Sequence, residues 1–299
     1  MSAYTFIVNP TAGRGAAARL LDPLRAELDR RGTDYELVTT SRPGHATAAA
    51  RLSKSHVVVA VGGDGTLNEV ANGLTGPQRT MGIIPAGSGN DFIKSVGIPP
   101  KFLPALDLLF NGKPRVVDLG TVFCGENPGN SPPRYFVNGV GIGFDAAVAA
   151  RTREIKFLGG NALYMLAVFQ TLGKYVPPNF TFSMNGSTKR SRNLLIAIGN
   201  GRCAGGGFYL TPDAEVDDGL LDICMVDAKS IPQILTLMPK VMRGKHHNVP
   251  GVSFLRGKGM TVTADEPFYV HADGEIVGAN VNRVEVGVLP GHLSIIAGP

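Results

Sequence analysis

Four carboxylates sit in short turns whose make-up suits phosphate chemistry. Asp64 lies in Gly62-Gly63-Asp64-Gly65-Thr66, Asp91 closes Gly87-Ser88-Gly89-Asn90-Asp91, and Asp273 and Glu275 flank Gly274. Glycines beside Asp64 remove the Cβ atoms that would crowd a ligand. A helix starting beyond such a turn aims its first N–H groups at the ligand and favours an anion. A carboxylate placed among phosphate oxygens needs a cation between them, and Mg²⁺ is the hard cation for that task. The alternative at Asp64 is a tight connection in which its carboxylate caps backbone N–H groups. Asp273-Gly274 between apolar stretches is also hairpin chemistry, and a carboxylate on a rigid hairpin is well placed to take a proton.

These turns need elements to hold them. Val57 to Val61 reads as a strand buried on both faces. From Thr66 the period becomes helical, with Leu67, Val70, Ala71 and Leu74 on one side, Thr66 as cap and Glu69 three residues later. Tyr4–Val8, Tyr35–Val38, Met81–Ile84 and Val116–Gly120 are further strands. Helices are expected over 16–30, with Leu20, Leu21, Leu24 and Leu28 on one face, over 46–52 and over 99–109. The loops after the first four strands hold Asn9 to Gly15, Thr39 to Ala46, Gly62 to Gly65 and Pro85 to Phe92. In an open parallel sheet, ligands bind beyond the carboxyl ends of the strands, so these loops are candidates for one crevice. Lys94 reads as a solvated lysine, the alternative being a charge added at the site, and Asp91 as a carboxylate that can cap a helix.

Residues 124–133 are rich in Pro, Gly and Asn and read as a linker or an exposed hairpin tip. Beyond them short strands dominate, around Phe180–Met184, Leu194–Gly199, Leu220–Val226, Met260–Ala264, Pro267–His271 and Arg283–Val288. Phe157 to Tyr175 has the pattern of an aromatic-rich amphipathic helix. With 299 residues and 43% hydrophobic content, the chain can build two cores. The shift in pattern predicts an α/β lobe followed by a β-rich lobe.

Net charge is +5, a modest excess compatible with anionic ligands or an anionic membrane surface. No zinc-finger spacing or basic helix supports a nucleic-acid partner. Cys124, Cys203 and Cys224 form no C-x-x-C and read as free thiols of a reducing compartment. The start, MSAYTFIVNP, reads as a first strand, and no apolar run is long enough to cross a bilayer. A cytoplasmic protein is expected.

Three further stretches carry a choice. Gly139 to Ala146 contains a G-x-G-x-x-A match, discounted because the acidic residue expected about 20 positions on is missing. The acidic turn Asp213 to Asp222 fails as an EF-hand: its glycine comes one position late and Cys224 stands where the bidentate glutamate belongs. A different metal site or a solvated turn remains. No acid occurs between Asp227 and Asp265, and that interval interleaves Lys229, Lys240, Arg243, Lys245, Arg256 and Lys258 with apolar residues. It reads as a strip that docks on an anionic leaflet, or as an ordinary surface helix.

No G-x-x-x-x-G-K-[ST] occurs, which excludes a P-loop. Taken in order, NPTAG, TTSRPGHA, GGDGTLNEV, PAGSGNDF, NGVGIGFDA, DDGLLD and HADGE resemble the diacylglycerol kinase catalytic-domain superfamily, within it the bacterial YegS/BmrU-type lipid kinases. The resemblance spans nearly the whole chain. It implies a three-layer, mostly parallel α/β lobe over 1–122, with 290–299 packing back on it, and a β-sandwich-like lobe over 123–289, with an ATP site in the cleft between. It implies ATP contacts at Asn9, Pro10, Thr11, Ala12, Gly13, Thr40, Gly63, Asp64, Gly65, Thr66, Leu67, Asn68, Glu69 and Ser88, where Ser88 replaces the usual threonine. Asp64 and Asp91 match acids linked to catalytic Mg²⁺ and its water network, to which Asp118 is added. Glu215, Asp218 and the Leu220 carbonyl match a separate Mg²⁺ site. Asp273 and Glu275 match the proton-accepting element, with Glu275 favoured.

The resemblance thus implies Mg²⁺-dependent transfer from ATP to a hydroxyl of a membrane lipid, by an enzyme in peripheral contact with an anionic membrane. A homo-oligomer is compatible with the sequence. The rival readings are a kinase of NAD or sugar phosphates, whose families also use GGDG turns, and a non-catalytic nucleotide or lipid sensor.

Overall fold

The computed structural model describes residues 2–74, 76, 78–126, 133–152, 167–168 and 170–298. The chain divides into two compact units: Met1–Leu119 with Pro290–Pro299, and Gly120–Leu289.

In the first unit, β1 (Tyr4–Val8), β2 (Tyr35–Thr39), β3 (Val57–Gly62) and β4 (Thr80–Pro85) form a parallel sheet in the order β4-β3-β1-β2. Residues past 290 add a strand beside β4, with Ser294 opposite Thr80. After their first residue, β1, β3 and β4 are buried at every position. Strands buried on both faces lie between two layers, as parallel sheets require. The connecting helices are α1 (Ala12–Arg19), α2 (Leu21–Arg30), α3 (His45–Leu52), α4 (Asp64–Gly73) and α5 (Phe102–Asn111). The returning segment is tied in by the Gly291 N–H, which donates to Asp118 Oδ1 at 2.8 Å, and buries Leu293 and Ile295 completely.

Four expectations for this unit need correction. The helix expected over 16–30 is two helices that break at Leu20. Pro23 explains the break, since it has no N–H for the Arg19 carbonyl and disfavours helix at the residue before it. Leu24 and Leu28 are fully buried, whereas Leu20 and Leu21 are half-buried. Thr66 is not the cap of α4; extended Gly63 holds that place and Thr66 lies buried in the first turn. Asp91 precedes only a three-residue 3₁₀ turn, Phe92–Lys94, with no side-chain cap bond, and its carboxylate pairs with Lys94 at 2.8 Å. Lys94 is therefore not simply solvated.

The second unit is antiparallel. The chain enters it within β5 (Lys113–Cys124), and β6 (Arg134–Phe136) pairs with β5. Then follow β7 (Gly139–Gly143), α6 (Phe144–Thr152), β8 (Asn179–Met184), β9 (Ser187–Gly199), β10 (Leu221–Asp227), α7 (Ile231–Val241), β11 (Val252–Gly257), β12 (Gly259–Ala272) and β13 (Glu275–Ala297). Strand order is β11-β10-β9-β7-β12-β13, with β8 beside β12 and β9. Period two sorts the side chains. Ile196 and Ile198 of β9 and Ile223 and Met225 of β10 join one core between strands. Leu195, Ala197, Cys224 and Val226, from the other face, pack with α6 and α7. The two strands expected at 260–264 and 267–271 are one, β12, whose register shifts between Thr263 and Phe268. Much of the expected linker (127–132) and of the helix expected over 157–175 (157–166 and 169) lies outside the described residues. No described helix is long and apolar enough to cross a membrane.

His246 in this unit is fully buried, its Nε2 3.3 Å from the Leu210 carbonyl and its Nδ1 without a partner among the described residues. Burial lowers its pKa, the neighbouring His247 adds to that, and the Leu210 contact opposes it. Its neutral form is favoured by folding, so the stability it carries is complete above about pH 6.5, the unfolded value, and is lost as pH falls below it. Urea unfolding from pH 8 to pH 5 should show wild type losing more stability over the acid half than His246→Gln does. Parallel curves would reject this role.

Candidate functional site

The loops after β1, β3 and β4 interlock within the first unit. Asn9 Nδ2 donates to Thr66 Oγ1 at 3.1 Å, while its Oδ1 accepts the Thr11 N–H and hydroxyl at 3.2 and 2.9 Å. A Cβ on Gly13 would stand 2.2 Å from the Ala86 carbonyl oxygen, and one on Gly87 would stand 2.3 Å from the Gly63 Cα. Only glycine lets these backbones come so close. Asn90, at φ +49°, closes the third loop: its amide accepts the Gly87 N–H and donates to the Gly87 carbonyl, both at 3.0 Å.

Asp64 joins the second loop to the third. Its Oδ1 accepts the N–H groups of Asp91 at 2.8 Å and Phe92 at 3.2 Å. The capping alternative weighed for this residue is thus present in the structure, and it does not compete with a metal, since a carboxylate oxygen has more than one lone pair. Thr40, buried at the end of β2, joins the same rim through its N–H, 2.9 Å from the Val8 carbonyl. Ser88 is exposed on the third loop.

Other residues expected to meet ATP face inward. Leu67 and Asn68 are buried in the unit. Glu69 accepts the Ala46 N–H at 3.1 Å, and its carbonyl accepts the Thr47 hydroxyl at 2.8 Å, which ties α4 to α3. Pro10, Ala12 and Gly65 lie half-buried along the loops. Among the described residues no three His, Cys, Asp or Glu side chains converge as a ready-made metal cage. Mg²⁺ carried on phosphates needs only one or two protein carboxylates; Asp64 has an oxygen to offer, whereas Asp91 is buried and paired with Lys94, which it would have to leave to meet a metal.

The two carboxylates of the second unit do different work. Asp273 (φ +47°) and Gly274 (φ +82°) are the centre of a tight hairpin turn with both φ angles positive. The Asp273 carboxylate accepts three backbone N–H groups, from Val137 at 2.8 Å, Asn138 at 3.0 Å and Gly139 at 2.9 Å. Such an oxygen pair is an anchor, poorly available to a substrate proton. Glu275 instead keeps 35% of its side chain exposed and pairs with Arg134. Of the two, it is the accessible acceptor.

At the expected second metal site, Asp218 Oδ1 accepts the Leu220 N–H at 2.9 Å and its Oδ2 pairs with Arg256. Glu215 is exposed. The turn as built is neutralised by a guanidinium, so Glu215, Asp218 and Leu220 do not fit a metal unless Arg256 moves. Thiol chemistry is also unsupported: burial pushes Cys124 up to about 11 and Cys224 up to about 12, so neither supplies a thiolate near neutral pH.

Sequence reading missed one group altogether. Gly141 and Asp145, quoted only within the discounted dinucleotide pattern and the NGVGIGFDA motif, and His271, quoted only within HADGE, form one arrangement in which Gly141 faces a buried Asp145–His271 pair.

Comparison with known proteins agrees with this architecture. Residues 3–122 match the diacylglycerol kinase catalytic domain, and residues 138–297 match the YegS C-terminal NAD kinase beta sandwich-like domain. A diacylglycerol kinase of Mycobacterium tuberculosis is 32% identical over 298 residues, 98% of this chain and 94% of its own. A crystal structure from Bacillus anthracis str. Sterne, provisionally named a diacylglycerol kinase, superposes with a TM-score of 0.76 at 26% identity, over 100% of this chain and 98% of that one. The fold alone extends to yeast NADH kinase, with a TM-score of 0.55 at 11% identity, over 100% of this chain and 84% of that one. An α/β unit and a β-sandwich-like unit of this kind define a two-domain kinase. The chain belongs to the diacylglycerol kinase family, a family of lipid kinases.

Removing the Asp64 carboxylate strands the two N–H groups it accepts, at a cost of about 1–3 kcal/mol. Asp64→Ala should therefore lower the thermal midpoint as well as abolish turnover, whereas Asp64→Asn, which keeps an acceptor oxygen, should keep the midpoint and still lose turnover. Differential scanning calorimetry beside a phosphoryl-transfer assay separates the two effects.

Proposed function

We propose that the protein is an ATP- and Mg²⁺-dependent lipid kinase that moves the γ-phosphoryl group of ATP onto a hydroxyl of a diacylglycerol-like membrane lipid. Family membership supplies kinase activity and ATP use. The observation that carries the reading at the residue level is the interlock of the loops bearing Asn9, Gly63, Asp64 and Asp91 at the carboxyl ends of parallel strands. Backbone N–H groups and the start of α4 gathered there favour a polyphosphate.

Asp64 and Asp91 are the residues that would hold Mg²⁺, whose charge offsets that of the phosphates. Asn9, Thr11 and the glycine turns orient the triphosphate, and Ser88 offers it a hydroxyl. Glu275 accepts the proton of the attacking lipid hydroxyl as the new oxygen–phosphorus bond forms and the bond from the γ-phosphorus to the β–γ bridging oxygen breaks, with ADP as the leaving group. Arg134 pairs with the Glu275 carboxylate. Asp273 keeps the turn rigid.

One feature of the second unit supports a lipid acceptor. On α7 and the residue after it, Ile231, Leu235 and Met242 are 45%, 41% and 50% exposed at helical spacing. Exposed Lys240, Arg243 and Lys245 accompany them. Apolar residues with cations and no acids suit an anionic leaflet, where each cation contributes about 1 kcal/mol. The enzyme would then work at the cytoplasmic face of a membrane without crossing it.

Labelled ATP incubated with vesicles of total membrane lipid should yield a labelled phospholipid, while NAD and sugar phosphates accept nothing. Glu275→Gln should lower kcat by about 10²-fold or more and leave the thermal midpoint in place. Transfer to NAD in preference to lipid, or full activity in Glu275→Gln, would reject the reading.

A further inference from the structure

Behind the Asp273–Glu275 turn lies a buried histidine that the phosphoryl-transfer scheme does not use. His271 is 9% exposed on β12 and Asp145 is 7% exposed at the start of α6. The register of β7 and β12 sets Gly141 directly opposite His271. A Cβ on Gly141 would stand 2.0 Å from Asp145 Oδ2 and 2.3 Å from His271 Nε2, so the pair occupies the space that glycine leaves. Across that space His271 Nε2 faces Asp145 Oδ2 at 3.3 Å. The other ring nitrogen, Nδ1, accepts the backbone N–H of Gly274 at 3.3 Å.

An imidazole nitrogen that accepts an N–H carries no proton, so the ring proton of the neutral form must sit on Nε2, where the carboxylate faces it. Asp145 is itself steadied, its Oδ1 accepting the Ala146 N–H at 2.9 Å. The chain of contacts therefore runs from Asp145 through His271 to the peptide joining Asp273 and Gly274, one residue from Glu275. Asp273 pins one side of the turn through the N–H groups of residues 137–139. His271 pins the other.

We propose that His271, held as its Nε2-protonated tautomer by Asp145 in the gap left by Gly141, is a positioning residue for Glu275. It fixes the Gly274 peptide and with it the direction in which the Glu275 carboxylate is presented. This role rests on the reading of Glu275 as proton acceptor. Loss of the Gly274 bond would not unfold the hairpin, which Asp273 still anchors, but would let the acceptor wander by the fraction of an ångström that proton transfer does not tolerate.

The test has a spectroscopic arm and a kinetic arm. In protein with ¹⁵N-labelled histidine, His271 should show an unprotonated Nδ1 and a protonated Nε2 near neutral pH, and Asp145→Asn should erode that preference. The opposite tautomer in wild type would overturn the proposal. His271→Phe, which keeps the ring shape and loses the acceptor, should reduce kcat for lipid phosphorylation by about 10- to 100-fold with KM for ATP within about twofold. His271→Asn returns an acceptor near the Nδ1 position and should recover most of that kcat. A fully active His271→Phe, or an Asn variant no better than Phe, rejects the positioning role while the kinase reading stands. A wild type that phosphorylates no lipid rejects the kinase reading, and this role falls with it.

Discussion

A single carboxylate oxygen, Asp64 Oδ1, accepts two backbone N–H groups of a neighbouring loop, and the geometry of the first unit's rim depends on it. The donors belong to Asp91 and Phe92, so the bond sets one glycine turn against another. The near-contact of Gly63 with Gly87 and the Asn9–Thr66 bond follow from that alignment. Asp273 does the same in the second unit with three N–H groups. In each unit, then, an acid fixes a turn by accepting backbone N–H groups. Charge-assisted bonds of this kind are among the stronger hydrogen bonds a protein can make, which is why the turns can be so rich in glycine and still hold one shape.

Much of this was legible in the chain. Buried β-branched runs such as Val57–Val61 announced parallel strands, because only a strand covered on both faces is apolar at every position. The Asp273-Gly274 pair announced its hairpin, because few residues accept positive φ in succession. Family resemblance ordered the motifs, and the matched domains agree with it. Helix limits read less well. A local pattern of leucines continues through Leu20 and Leu21, whereas the missing N–H of Pro23 acts on a bond four residues back.

Partners distant in sequence were not legible at all. Nothing near Asp218 names Arg256 as its counter-ion, 38 residues on. Nothing near Glu69 indicates that its carboxylate closes on the first turn of α3. The Gly141, Asp145 and His271 arrangement needs the register of two strands more than 100 residues apart, and register is decided by tertiary packing. Leu67 and Asn68, named as ATP contacts by the resemblance, have buried side chains, which for Asn68 no local pattern announces.

The segment after residue 290 has a consequence for biogenesis. It lies against β4 and buries Leu293 and Ile295, so the parallel sheet begun by residues 4–85 keeps an open margin until almost 300 residues have left the ribosome. An open apolar margin is adhesive. The first unit must therefore wait for the second to be translated before β4 gains its outer neighbour.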